Sequence, residues 1–480
     1  MEERGINGGR ILEDVALLPA HEQVRRVRHG ELTATELLQA CMERIKRHNA
    51  FVNALVTLNE NAGSEAAAVD VKIAKGEDPG PLAGLVVGIK DVTETAGIRT
   101  TYGSKLFEDF VPDQDATVVK RFRQAGAVIM GKTNTPEFAA GGNTWNEVFG
   151  FTRNPWDLDR SAGGSTGGGA AALATGMISI AQGSDLGGSL RIPASFCGIV
   201  GLRSTAGLIP TFPSPHLWDH LHVTGTMART AADIELSLNV LAGPTDESPI
   251  AAPPKGRSVR PGELEWDATQ GNLAYCPNVA GIGIDPTVAS VAEDAVERLR
   301  DSGVEIRKID LDLSYGRDAF MALRGYWFLA QFFEQLDRIA EFGPNVSANL
   351  TSGLKVTTRD LGRAENTRRA MREQFLDLFK EYDAVLTPTM AIPPFSVEEN
   401  YPKTIAGKPM ETYIDWMAPT FLLSLPSLPV ASVPVGLDSS RLPVGLQVVV
   451  PPYRESRALA LASLFETKCP IGSPPLVTID

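Results

Sequence analysis

Hydrophobic positions in this chain fall into two patterns, a helical period and short unbroken apolar runs. Residues 11–60 read as helical: Leu37, Cys41 and Ile45 recur every four residues, Leu38 broadens the stripe, and Arg44, Lys46 and Arg47 take the far face. Thr33 followed by Glu36 predicts a capping box. An alanine-rich helix over 60–75 is broken by Gly76, Pro79, Gly80 and Pro81. Leu85 to Ile89, closed by Lys90 and Asp91, reads as a buried strand whose end reaches a functional edge. Val118, Val119 and Phe122 mark a helix over 115–125, and Ala127 to Met130 a strand. A small-residue helix over 168–175 and a strand over 177–181 follow. Further helices are predicted over 230–241, 288–302, 317–342 and 359–381, and strands over 382–388, 425–437 and 444–450. The stretch 243–275, rich in Pro, Gly and charge, reads as a surface excursion. Alternating strands and helices predict an α/β fold, with a large mixed, mostly parallel central sheet covered by helices.

Composition narrows the class. The 480 residues are 43% hydrophobic and 21% charged, ordinary for a soluble globular chain with a large core. The formal net charge of −13 argues against nucleic acid or an anionic membrane as partner. Cys41, Cys197, Cys276 and Cys469 are far apart and show no metal-ligand spacing, so they read as free thiols. The start of the chain carries no secretory apolar segment, and no run is long enough to span a bilayer. The expectation is a cytoplasmic protein with no metal and no cofactor.

Two glycine-rich loops stand apart from the rest. Gly163-Gly164-Ser165-Thr166-Gly167-Gly168 and Gly183-Ser184-Asp185-Leu186-Gly187-Gly188-Ser189-Leu190-Arg191 place two serines 24 positions apart. A phosphate cradle would need a Gly-Lys-Ser/Thr ending, which neither loop has. Gly163 to Gly167 matches the nucleophile elbow of α/β-hydrolases, which makes Ser165 a candidate nucleophile. That fold requires a histidine late in the chain, and none follows His222. His216, His220 and His222 read as solvated or pocket-rim imidazoles. A desolvated lysine is the other available base, and Lys90 ends an apolar strand as that role requires.

Together Gly88-Ile89-Lys90-Asp91 and the two loops resemble the motifs of the amidase signature family. Segments such as Gly131 to Phe138, Thr152 to Trp156, Gly198 to Arg203 and Leu442 to Gln447 extend the resemblance through most of the chain. It implies a single domain over 1–480. N-terminal helices would occupy about 11–75 and the catalytic core about 80–240 and 425–470. A helical and loop excursion over about 243–400 would shape the substrate pocket, and helices would cover both faces of the sheet. The resemblance assigns Ser189 as nucleophile, Ser165 as bridging serine after a cis peptide from Gly164, and Lys90 as base. The N–H groups of Leu186, Gly187, Gly188 and Ser189 would form the oxyanion hole, with Asp185 and Arg191 supporting the loop. Thr166 stands where many members carry a second serine, and its hydroxyl is expected still to donate or accept.

Substrate choice lies outside these motifs. Tyr326, Trp327, Phe328, Phe332 and Phe333, and later Tyr413, Trp416 and Phe421, either pack the core or line an apolar pocket. The second alternative implies a small-molecule aryl or alkyl amide, with carbamates and esters as side substrates. The rival within the resemblance is the glutaminase subunit of a tRNA-dependent glutamine amidotransferase, which works with partner chains. A homodimer is expected by analogy with the family.

Overall fold

A computed structural model describes residues 15–251 and 266–478. Eleven strands form its main sheet: β1 (Leu55–Leu58), β2 (Val86–Lys90), β3 (Val128–Thr133), β4 (Ile180–Asp185), β5 (Val200–Arg203), β6 (Val223–Ala228), β7 (Asn272–Tyr275), β8 (Glu305–Lys308), β9 (Ala384–Pro388), β10 (Val430–Leu437) and β11 (Pro443–Val449). Their spatial order is β1-β3-β2-β4-β6-β5-β10-β11-β9-β7-β8.

The sheet is mixed, as expected, but antiparallel pairings predominate. Parallel pairs lie in two blocks, β3-β2-β4 and β9-β7-β8, and every other neighbour is antiparallel. The short turn between Leu437 and Pro443 shows why, since a connection of that length can only fold a hairpin. Alternate strand residues enter different clusters. Val87, Ile129 and Leu386 pack with Phe122, Leu238 and Phe465, whereas Val86, Val128 and Met130 pack with Leu37 and Leu173. That is the period of a sheet covered on both faces.

The predicted helices largely form. Thr33 caps Ala34–Val52 in a full capping box, with Glu36 returning to the Thr33 N–H. Several expectations change. Residues 11–60 are not all helix, because β1 adds an edge strand to β3. The strand expected at 177–181 begins at Ile180 and runs into the second glycine loop. β7 and β8 arise from stretches not predicted as strands, and together with β9 they bring 272–388 into the main sheet. The helix predicted over 317–342 ends at Gln331 and continues as a 3-10 segment, Phe333–Glu341. Part of the predicted surface excursion, residues 252–265, lies outside the described residues. All four cysteines are buried and unpaired. Among the described residues no helix is long and apolar enough to cross a membrane.

The topology brings the two glycine loops together. β2 and β4 are parallel neighbours, with Ile89 opposite Gln182, so Lys90 ends beside the start of the second loop. The helix Gly167–Ala174, which follows the first loop, packs closely enough that a Cβ on Gly168 would meet the Asn134 nitrogen at 2.3 Å and the Ala54 carbonyl oxygen at 2.7 Å. Those are backbone atoms that cannot step aside. Gly168→Ala is therefore expected to cost at least about 1–3 kcal/mol of stability. Gly362 sits exposed in the helix Thr358–Leu378, and a Cβ added there would meet nothing within 4 Å, so Gly362→Ala should gain about 0.5–1 kcal/mol. Urea unfolding of the two variants tests the opposite signs.

Candidate active site

Lys90 is fully buried at the end of β2. Its Nζ lies 2.7 Å from Ser165 Oγ and 3.3 Å from Ser184 Oγ, and its backbone N–H donates to Gln182 Oε1 at 3.2 Å. Both partners of the amine are hydroxyls. Burial pushes the Lys90 pKa down from 10.5 to about 7, with Asp185 pulling weakly the other way. At neutral pH the residue is thus divided between ammonium and free amine. Ser184 and Gln182 were not singled out in the sequence. They lie in the strand that continues into the second loop, where alternation places Gln182 and Ser184 on the same side.

The first loop is held by small polar residues. The Thr144 hydroxyl donates to the Gly163 carbonyl at 2.8 Å and accepts from the Gly167 N–H at 3.1 Å. The Gly163 N–H donates to the Ser161 hydroxyl at 3.0 Å. Between these ties the Gly164–Ser165 peptide is cis, as the family resemblance implied. Among the described residues the buried Thr166 hydroxyl has no hydrogen-bond partner, and its methyl and hydroxyl pack beside Gly183.

The second loop is fixed by Asp185 and two arginines. Burial alone would raise the Asp185 pKa, but Arg191 and Arg203 hold its carboxyl well below the usual range. Arg191 Nε and Nη2 each reach an Asp185 oxygen at 3.0 Å. Its remaining donors reach the Thr420 carbonyl at 2.8 Å, Gln447 Oε1 at 2.8 Å and the Ser424 hydroxyl at 2.7 Å. All five guanidinium N–H groups are used. Arg203 on β5 adds a contact to Asp185 Oδ1 at 3.3 Å. Sequence reasoning had not placed Arg203 at the site; a lone charge in an apolar strand was the available signal.

This arrangement corrects the expected oxyanion hole. The Gly188 N–H donates to Asp185 Oδ1 at 2.9 Å and is therefore committed. The Leu190 N–H is taken by Asp185 Oδ2 at 3.3 Å. That leaves the N–H groups of Leu186, Gly187 and Ser189 as the remaining candidates.

Ser165, Ser184, Leu186 and Ser189 line one cavity of about 440 Å³, a size that suits a small-molecule substrate. Ser165 is 1% exposed, whereas Ser189 is only partly buried. Trp327, Phe328 and Phe332 line the cavity, as one reading of the sequence expected. Tyr326 and Phe333 point to solvent instead, and Tyr413, Trp416 and Phe421 are buried in the core. Tyr102, Phe107, Phe138, Phe212 and Phe342 also line it and were missed, being scattered along separate stretches of the chain. His222 also lines the cavity, because β6 pairs Val223 with Asp185. Burial pushes its pKa down, and Lys90 and Arg203 push the same way against Asp219.

The Asp185 cluster yields a stability prediction. Arg191→Met leaves the buried Asp185 carboxylate to Arg203 alone and is expected to cost about 3 kcal/mol at neutral pH. Because folding lowers the Asp185 pKa, its contribution is present above the ordinary carboxylate range and fades as the pH falls into it. Urea unfolding at pH 7 checks the size. The gap between the two proteins should narrow as the pH falls.

The amidase family model matches residues 36–459. The chain is 36% identical to a glutamyl-tRNA(Gln) amidotransferase subunit from Carboxydothermus hydrogenoformans, covering 94% of this chain and 96% of that protein. Among solved structures, 6-aminohexanoate cyclic dimer hydrolase superposes with a TM-score of 0.85 at 27% identity, covering 96% of this chain and 99% of that one. A bacterial aryl acylamidase of the amidase signature family superposes with a TM-score of 0.87 at 24% identity, over 95% and 97% of the two chains, which speaks to the fold. The chain belongs to the amidase signature family, enzymes that act on amide C–N bonds.

Proposed function

We propose that this protein hydrolyses amides through Lys90, Ser165 and Ser189. The observation that carries the reading is a fully buried lysine, shifted to about 7, whose amine meets the Ser165 hydroxyl at 2.7 Å beside a cavity that Ser189 also lines. In its free-amine form Lys90 accepts the Ser165 proton as Ser165 accepts that of Ser189. Ser189 Oγ then attacks the amide carbonyl carbon. The oxyanion is met by the N–H groups of Leu186, Gly187 and Ser189, and removal of one such donor typically costs about 3 kcal/mol of transition-state stabilisation. The relay returns the proton to the departing nitrogen as the C–N bond breaks. Water, deprotonated along the same path, releases the acyl group from Ser189. The near-complete burial of Ser165, beside the more exposed Ser189, weighs against an elbow nucleophile at Ser165.

Two substrate readings follow from different observations. The aromatic lining supports an amide bearing an aryl or alkyl group, with carbamates and esters as side substrates. The sequence relatives support the other, a glutaminase subunit that delivers ammonia within an amidotransferase, and they favour it over the first. A screen of anilides, carbamates, esters and glutamine separates them, with glutamine assayed alone and with candidate partner chains. Turnover of anilides without partners supports the first. Glutamine turnover that requires partners supports the second. The acidic charge and free thiols suit the cytoplasm on either reading.

The shifted lysine sets the pH dependence. The free amine is the active form, so kcat/KM should rise about tenfold per unit up to about pH 7 and level above it. Folding lowers this pKa, so the unfolded chain holds the Lys90 proton more tightly. Lys90 therefore costs stability below about pH 7, and the cost fades as the pH rises towards 10.5. Lys90→Met should lose turnover while melting no lower than the parent at pH 6. A large drop in its Tm would contradict this account of the lysine.

A further inference from the structure

A second charge in the cavity is not used by the Lys90–Ser165–Ser189 chemistry. Arg324, on the helix Arg317–Gln331, lines the cavity and is 6% exposed. Its contacts among the described residues are neutral. Nε donates to Asn349 Oδ1 at 2.9 Å and Nη2 to the Tyr413 hydroxyl at 2.8 Å. The guanidinium lies 5.0 Å over the Phe328 ring and 5.8 Å over that of Tyr413. Asn349 also donates to the Tyr413 hydroxyl and, at 2.6 Å, to the Asn345 carbonyl, so the fork is aimed by a network.

The guanidinium has five N–H donors, and these protein partners take two. A buried charge without an anion is costly. Asp185, by contrast, sits between two arginines. Among the described residues the other charged side chain of the lining, Glu94, is partly exposed and accepts from the Tyr102 hydroxyl at 2.8 Å. The cavity thus presents a fixed planar cation beside Phe328 and Trp327.

We propose that Arg324 is a carboxylate subsite, and that the amide cleaved at Ser189 carries a carboxylate. The aryl or alkyl part of the substrate packs on Phe328 and Trp327 while the carboxylate takes the free side of the guanidinium fork, the geometry in which arginine binds carboxylates best. This deepens the proposed function and rests on it for the word substrate, although the subsite itself needs no turnover.

Two measurements test it separately from catalysis. Calorimetry on Ser189→Ala protein compares phenylacetate with its neutral isostere phenylacetamide. At least tenfold tighter binding of phenylacetate is expected, and equal binding overturns the subsite. In Ser189→Ala/Arg324→Met that preference should vanish, and in Ser189→Ala/Arg324→Lys part of it should return. An undiminished preference in the Met variant also overturns the proposal. With the unmodified enzyme, glutaryl 4-nitroanilide should exceed valeryl 4-nitroanilide at least tenfold in kcat/KM, mainly through KM, and Arg324→Met should collapse that ratio. A ratio near one refutes the assignment. Absent turnover with the phenylacetate preference intact supports the subsite and counts against the catalytic reading alone.

Discussion

The burial of one primary amine governs this site. Lys90 is sealed at the end of β2 with two serine hydroxyls as the partners of its amine. Among the described residues no carboxylate bonds that amine, and desolvation is the main influence on its protonation. A lysine on the surface would stay an ammonium at neutral pH and have no lone pair to offer. An ion-paired one would be held more firmly still. The parallel β2–β4 pairing is what permits this arrangement, because it sets the end of one strand against the glycine loop leaving the other. The helix after Ser165 is buried along its whole length.

A division of electrostatic labour follows. Asp185 directly follows the lysine's neighbour Ser184, and an unpaired carboxylate there would restore the ammonium. Arg191 and Arg203 claim it instead. Arg191 ties the second loop to Thr420, Ser424 and Gln447, while the Asp185 carboxylate takes the Gly188 N–H. The support of the loop and the poise of the base are thus two consequences of one ion cluster. Elsewhere in the cavity lining, the described contacts of the buried Arg324 are all neutral.

Much of this was legible in the sequence, and the gaps have physical causes. The strand-end lysine and the two glycine-flanked serines were visible because glycine loops break the surrounding pattern. The helices were visible through their period and caps, Thr33 with Glu36 most plainly. The short strands β7 and β8 were not, since four residues carry too little alternation to read. The fate of the Gly188 N–H depends on how Asp185 curls back, which no residue spacing reports. The aromatic run on the helix Arg317–Gln331 signalled a pocket but not its face. Successive residues there turn about 100° apart, so Tyr326 meets solvent while Phe328 is buried. The remaining rings, such as Tyr102 and Phe138, come from loops that only the tertiary fold gathers.

The central claim is that the two serines have different jobs, with Ser189 attacking and Ser165 carrying the proton to Lys90. Reaction with a fluorophosphonate, followed by peptide mass spectrometry of the intact enzyme's digest, tests it most directly. The adduct should map to Ser189 and its rate of formation should fall as Lys90 becomes protonated below pH 7. An adduct on Ser165, or labelling of Ser189 at a rate indifferent to pH across that range, would contradict the account.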